Sequence, residues 1–278
     1  MEVDAFRRLF PVHYYERHLS ESIRPMLDPW KKPEILLCPS VGAAASSDGS
    51  ALAKISSITM LAAIKMEVMT PVYAPGEGSI AVEFHMPPIC SPVVRSGRPA
   101  EVAPVTSGMI DLKELSLIKG EAAWMVYLDI YSLDADGALF DAALLSAVAA
   151  FSHGKIVPAL RFRWEMVMVS EELEGEKLDK EPVNKERRKL LLKSIPFSLI
   201  CILHKNHILA DPTFEESILE TFMTVVLNSS GLLVSLYKPG GPVLAHTSAI
   251  QECVALTRQR MKELKEIIDA AISTMEID

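Results

Sequence analysis

Apolar residues recur along this chain with two periods, and the switches between them mark out its elements. From Val3 to Ser22, Phe6, Leu9, Phe10, Tyr14 and Leu19 recur at helical spacing, with Pro11 placed to break or kink the helix. Residues 24–46 carry Pro25, Pro29, Pro33 and Pro39 and read as irregular. After the Asp48-Gly49 turn, Ala51 to Met69 reads as one or two strands, with Met60, Ala62, Ile64, Met66 and Val68 alternating onto one face. A loop over Pro75 to Gly78 leads to a strand from Ile80 to Met86. Next comes a loop of prolines and arginines, with Pro87, Pro88, Pro92, Arg95, Gly97, Arg98 and Pro99.

Two later passages share one order of elements. Leu112 to Ile118 and Ala122 to Leu133 predict a hairpin, which runs through Asp134-Ala135-Asp136-Gly137 into an Ala-rich helix, Phe140 to Phe151. Thr221 to Leu227 and Leu232 to Tyr237 flank the turn Asn228-Ser229-Ser230-Gly231 and predict a second hairpin. The glycine loop Lys238 to Pro242 then leads into a long helix from Ser248. In that helix Ile250, Val254, Met261, Leu264, Ile268 and Ile272 form a buried stripe, each contributing roughly 1.5–3 kcal/mol. Arg258, Arg260, Lys262 and Lys265 alternate with Glu263 and Glu266 on its wet side. The repeated order predicts a pseudo-duplicated α+β domain, antiparallel sheets packed with helices. A highly charged segment, Glu171 to Arg188, lies between the passages and reads as a solvated loop or short helix.

A chain of 278 residues with 49% hydrophobic and 23% charged residues falls in the globular range. The longest nearly apolar run, Ala142 to Phe151, falls short of a membrane span, and the first residues do not read as a signal peptide. Cys38, Cys90, Cys201 and Cys253 are isolated in sequence, which suits a reducing compartment and offers neither a disulfide scaffold nor structural zinc. An intracellular, soluble protein is expected, without membrane association. The net charge of −8 argues against tight independent binding of nucleic acid, because phosphate neutralisation supplies most of that affinity.

The junction Gly137-Ala138-Leu139 is the most telling chemistry. A strand, a glycine and a helix start point free backbone N–H groups outward, which favours anions. A working phosphate site adds a hydroxyl or a cation beside the glycine. Here Ala138, Leu139 and Phe140 follow it, and Asp129, Asp134, Asp136 and Asp141 lie close in sequence. The site reads as disarmed. Those four aspartates suit turn and helix-start roles, since a calcium loop needs an acid where Leu144 and Leu145 stand. His204 and His207 fit a hairpin turn and, along an extended strand, opposite faces; they are not read as metal ligands. Thr213-Phe214-Glu215-Glu216 reads as a capping box. Ser47 and Ser50 have no base and acid at a triad spacing.

Five segments, in this order, carry a family resemblance. They are Ser47-Asp48-Gly49-Ser50-Ala51, Met86 to Ser91, Arg95-Ser96-Gly97-Arg98-Pro99, Leu128-Asp129 through Gly137 to Ala143, and Ala210-Asp211-Pro212-Thr213. Together they resemble the RNase PH-type subunits of the RNA exosome. The resemblance implies a single RNase PH-like domain over 1–278, with halves of about 20–155 and 185–278 and an N-terminal helix over 3–21. It implies a six-membered ring of such folds, RNA-binding cap subunits above it, and RNA threading through. Active relatives cleave RNA with inorganic phosphate, and an anion attacking an anion needs cationic clamps.

Residue by residue, the resemblance implies loss of that machinery. The Gly-Ser-Arg phosphate loop falls on Gly137-Ala138-Leu139. Of the aspartate pair, Asp211 remains as a relic while Lys205 or Asn206 stands at the first position. The adjacent arginine pair falls on Arg98-Pro99, leaving Arg95 and Arg98 as candidates for RNA-backbone contact. The expectation is a non-catalytic ring subunit, with no catalytic residue, no cofactor and no metal. It would support rRNA maturation and mRNA turnover by assembly and threading, in nuclear, nucleolar and cytoplasmic pools. The alternatives are an active phosphate-dependent 3′–5′ exoribonuclease and a free-standing RNA-binding protein. The chain departs from the family pattern near 24–46, between Pro99 and Ser107, where it is shorter, and over Gly154 to Val169. The fold is expected to be incomplete near 24–46 and 99–110, as in a splice variant or an imperfect gene model.

Overall fold

Strict alternation of side chains builds the first sheet. The computed structural model describes residues 2–21, 23–24, 33–36, 47–55, 57–71, 76–90, 108–156, 159–162, 167–169, 180–184, 188–219 and 221–275. After helices α1 (Glu2–Leu9) and α2 (Pro11–Ser20), strands β1 (Pro33–Leu36), β2 (Gly49–Ile55) and β3 (Ile58–Met69) pair antiparallel in sequence. The single helix expected over 3–21 is thus two. Pro11 starts the second, where its missing N–H costs nothing. Along β3, Ile58, Met60, Ala62, Ile64 and Met66 are buried, while Lys65 and Glu67 face solvent.

The sheet continues with β4 (Ser79–His85), β5 (Ser116–Ile118) and the long β6 (Ala122–Asp134), in the order β1-β2-β3-β6-β4 with β5 also on β6. One pairing departs from the antiparallel expectation: β4 runs parallel to β6. The long connection between them, from Met86 to Glu121, permits this, since a parallel neighbour needs a crossover rather than a tight turn. Within 24–46, read as irregular, Pro33–Leu36 form β1. The Arg95–Arg98 loop and most of 24–46 and 99–110 lie outside the described residues.

Helix α3 (Leu139–His153) is buried from Phe140 to Phe151 on every face. A helix apolar all round belongs in a core, and α3 packs against β2 and β3 on one side and β12 (Pro196–His204) of the second sheet on the other. Short strands intervene in sequence: β7 (Lys155–Ile156), β8 (Ala159–Phe162), β9 (Val167–Val169), β10 (Lys180–Asn184) and β11 (Arg188–Lys189). Within 171–188, read from sequence as a loop or short helix, residues 180–184 are instead a strand that pairs with β8; 171–179 and 185–187 lie outside the described residues. The second sheet has the order β13-β12-β14-β15, with β13 (His207–Ala210), β14 (Phe222–Asn228) and β15 (Leu233–Tyr237), and helix α4 (Thr247–Met275) covers it. One hydrophobic core runs through both halves, from Ala51 to Ile268. Among the described residues no helix is long and apolar enough to cross a membrane.

One detail differs from the sequence reading. Arg260 is buried rather than on the wet side of α4, because Asp211 and Glu263 receive its guanidinium. His204 and His207 are register partners across the Lys205-Asn206 turn, the hairpin that their spacing suggested. His204 is engaged by Glu16, its Nε2 lying 3.2 Å from Oε1.

Candidate functional site

The end of β6 and the start of α3 meet the turn after β13, so the two halves of the chain share one junction. Gly137 has φ +22°, and a Cβ there would lie 1.8 Å from the carbonyl oxygen of Pro212. Only glycine fits such an approach. Asp136 fastens the contact: its Oδ1 accepts from the Phe214 N–H at 2.8 Å and its Oδ2 from the Ser57 hydroxyl at 2.6 Å. The Leu139 N–H donates back to the Gly137 carbonyl at 2.9 Å, and Ala138 is buried without capping the helix through its side chain.

Asp141, in the first turn of α3, crosses to the second half. It accepts from the Ser198 hydroxyl at 2.6 Å and from the Ile200 N–H at 2.8 Å, both on β12. Burial pushes its carboxyl up to about 7, against the pull of those two hydrogen bonds; nearby Asp211 adds to the rise and Arg260 opposes it.

Asp211 has φ +50°, a left-handed conformation that aspartate tolerates better than most residues, and its N–H donates to the Ile200 carbonyl at 3.0 Å. The Arg260 guanidinium lies 4.0 Å from its carboxylate. Arg24 grips the same turn. It donates to the carbonyls of Ala210 and Asp211 at 2.8 and 3.1 Å, and in a two-pronged pair to Glu216 at 2.7 and 2.6 Å. Glu216 also accepts from the Thr213 N–H at 3.0 Å, while its own N–H reaches the Thr213 hydroxyl at 3.4 Å. The capping box read from Thr213 to Glu216 is therefore present, opening a short 3-10 turn over Glu215–Leu219.

The structure sets Gly137 against Pro212, the residue after Asp211. Arg95 and Arg98 lie outside the described residues. Sequence reasoning missed the carboxylate bonds of Asp141 and the engagement of Arg24 and Arg260. A signal existed for Arg260, which follows buried Cys253 and Thr257 at helical spacing and stands next to buried Met261. None existed for Asp141, whose donors stand far along the chain.

A phosphate dianion needs positive charge or hydroxyl donors. Ala138 and Leu139 supply neither, and the two arginines at this junction are paired to carboxylates. The arrangement can weld two half-domains together.

Two sheets packed with helices around one core define an RNase PH-like fold. The chain matches the 3′ exoribonuclease family, domain 1, over residues 39–157 and domain 2 over residues 194–260, and it belongs to that family. It is similar to "Exosome complex component Rrp42" of Archaeoglobus fulgidus, with 30% identity over 255 residues covering 85% of this chain and 89% of that one. "Exosome complex component rrp43" of Schizosaccharomyces pombe is 29% identical over 227 residues, 77% of this chain and 79% of that one. Among solved structures, the Archaeoglobus fulgidus exosome with RNA bound to the active site superposes with a TM-score of 0.74 at 26% identity, covering 95% of this chain and 98% of that one. Rice Rrp46 has a TM-score of 0.63 at 13% identity, covering 89% of this chain and 98% of that one, a likeness of fold alone.

Proposed function

We propose that this chain is a ring subunit of an exosome core that supports 3′–5′ RNA processing without cleaving RNA itself, of the type of ribosomal RNA-processing protein 43. The observation that carries the proposal is Gly137-Ala138-Leu139 packed on Pro212, with Arg24 and Arg260 committed to carboxylates. Its partners are RNase PH-like ring neighbours, cap subunits and the RNA that passes through. Its work is rRNA maturation and mRNA turnover, in nuclear, nucleolar and cytoplasmic pools. The similarity to exosome components over most of the chain supports this reading.

The edge of the second sheet offers a place for a neighbour. On β15, Leu233, Val234, Leu236 and Tyr237 are exposed, with Leu232 and Leu244 close by in sequence. Large apolar side chains on both faces of an edge strand suit burial against another chain.

The test is a reconstituted ring whose other subunits carry inactivated sites. Given inorganic phosphate and single-stranded RNA, it should release no nucleoside diphosphate. Phosphate-dependent shortening lost in Asp211→Asn would instead make this chain an active exoribonuclease.

A further inference from the structure

The outer face of the first sheet carries a second constellation, remote in role from the junction. Glu83 and Asp129 are register partners on the parallel pair β4 and β6, so two carboxylates stand side by side on one face. Two residues on, His85 shares that face, and its ring stacks on Tyr131 with centroids 4.6 Å apart and planes 18° from parallel. The stacking fixes the imidazole so that Nε2 lies 3.5 Å from the Glu83 carboxylate. One ligand atom from each of Glu83, His85 and Asp129 lies within 4.8 Å of the others.

The charge here is unbalanced. Like charges placed opposite each other in a sheet are destabilising. Opposite Asp129 on its other flank stands Ala63, which brings no charge, and the nearby lysine of β3, Lys65, lies 3.2 Å from Glu67. Among the described residues, His85 is the basic group that reaches this carboxylate pair.

We propose that Glu83, His85 and Asp129 form a binding site for a borderline first-row divalent cation, with zinc as its reference ion. Two carboxylates and one imidazole make an oxygen-and-nitrogen donor set with two negative charges, and imidazole favours such ions over magnesium and calcium. A tetrahedral shell at zinc–ligand distances of about 2.0–2.2 Å sets donor atoms about 3.3–3.6 Å apart, and rotation of the exposed Glu83 side chain closes the difference. Three protein ligands leave a position for water. The ion neutralises the carboxylate pair and clamps the end of β4 to β6, just before the chain runs on toward Arg95 and Arg98. No spacing motif announces the site, because its ligands come from two strands joined by a long connection.

The test uses the full chain, freed of metal by a chelator and titrated calorimetrically with Zn2+, Mg2+ and Ca2+. His85→Asn and Asp129→Asn should each bind one equivalent of Zn2+ fewer than the unsubstituted protein, or bind it about tenfold or more weakly. Glu83→Gln, at an exposed position, gives the same comparison where the others fail to fold. Mg2+ and Ca2+ should bind at least tenfold more weakly. Co2+ should give visible absorption in the unsubstituted chain that His85→Asn abolishes. Zn2+ isotherms unchanged in all three variants would overturn the proposal, and so would Mg2+ or Ca2+ binding as tight as Zn2+.

Discussion

Asp141 concentrates the energetics of the junction in one side chain. Its ordinary carboxylate range lies near 3.8, and in the fold it sits at about 7, so the folded chain holds a proton that the unfolded chain releases. The sign follows: between those values the folded state binds more protons, and stability falls as pH rises, by roughly 1.4 kcal/mol per unit at most. Above the folded value the loss is complete and levels off. Asp141→Asn keeps an acceptor for Ser198 or Ile200 and removes the charge. The variant is expected to lose much of this slope, so that its thermal midpoint, measured from pH 4.5 to 8, falls less than that of the unsubstituted chain. Parallel curves for the two proteins would contradict the assignment. The presence of Asp141 in the helix start was legible in the sequence; its burial was not, because the donors on β12 lie 57 and 59 residues away.

Among elements, the short turn from Ala210 to Leu219 does the most work. It carries the left-handed Asp211, the carbonyl against Gly137 and the capping box, and Arg24 ties it to the segment that follows α2. Glu216 is fully buried, so removal of its guanidinium partner leaves an uncompensated charge. Arg24→Ala is expected to cost about 3–5 kcal/mol of stability, read from denaturant unfolding. Glu216→Gln together with Arg24→Ala should recover part of that loss. A cost near zero for Arg24→Ala would remove this pair from the account. The repeated hairpin, loop and helix order was readable from periodicity because each amphipathic face is a local property. The parallel placement of β4 was not, since it depends on which edge of β6 the chain reaches after a long connection.

At the scale of the molecule, β15 is the edge proposed above to meet a ring neighbour. Val234→Asp with Leu236→Lys leaves the core of the chain intact, because both side chains are exposed. Incorporation into a reconstituted ring, followed by size-exclusion chromatography, is expected to fall at least tenfold (about 1.4 kcal/mol or more). The isolated chain should keep its unfolding midpoint within a few degrees. Undiminished assembly would place the neighbour elsewhere.

The sequence by itself determined the periodic elements, the Ala-rich helix α3, and the lack of a hydroxyl or cation on the residues directly after Gly137. These follow from composition and spacing within single segments. Only the tertiary structure decided that Arg260 is buried, that Pro212 closes on Gly137, and that Glu83, His85 and Asp129 converge. Each of these depends on register between distant segments, which burial and hydrogen bonding choose and local pattern does not encode.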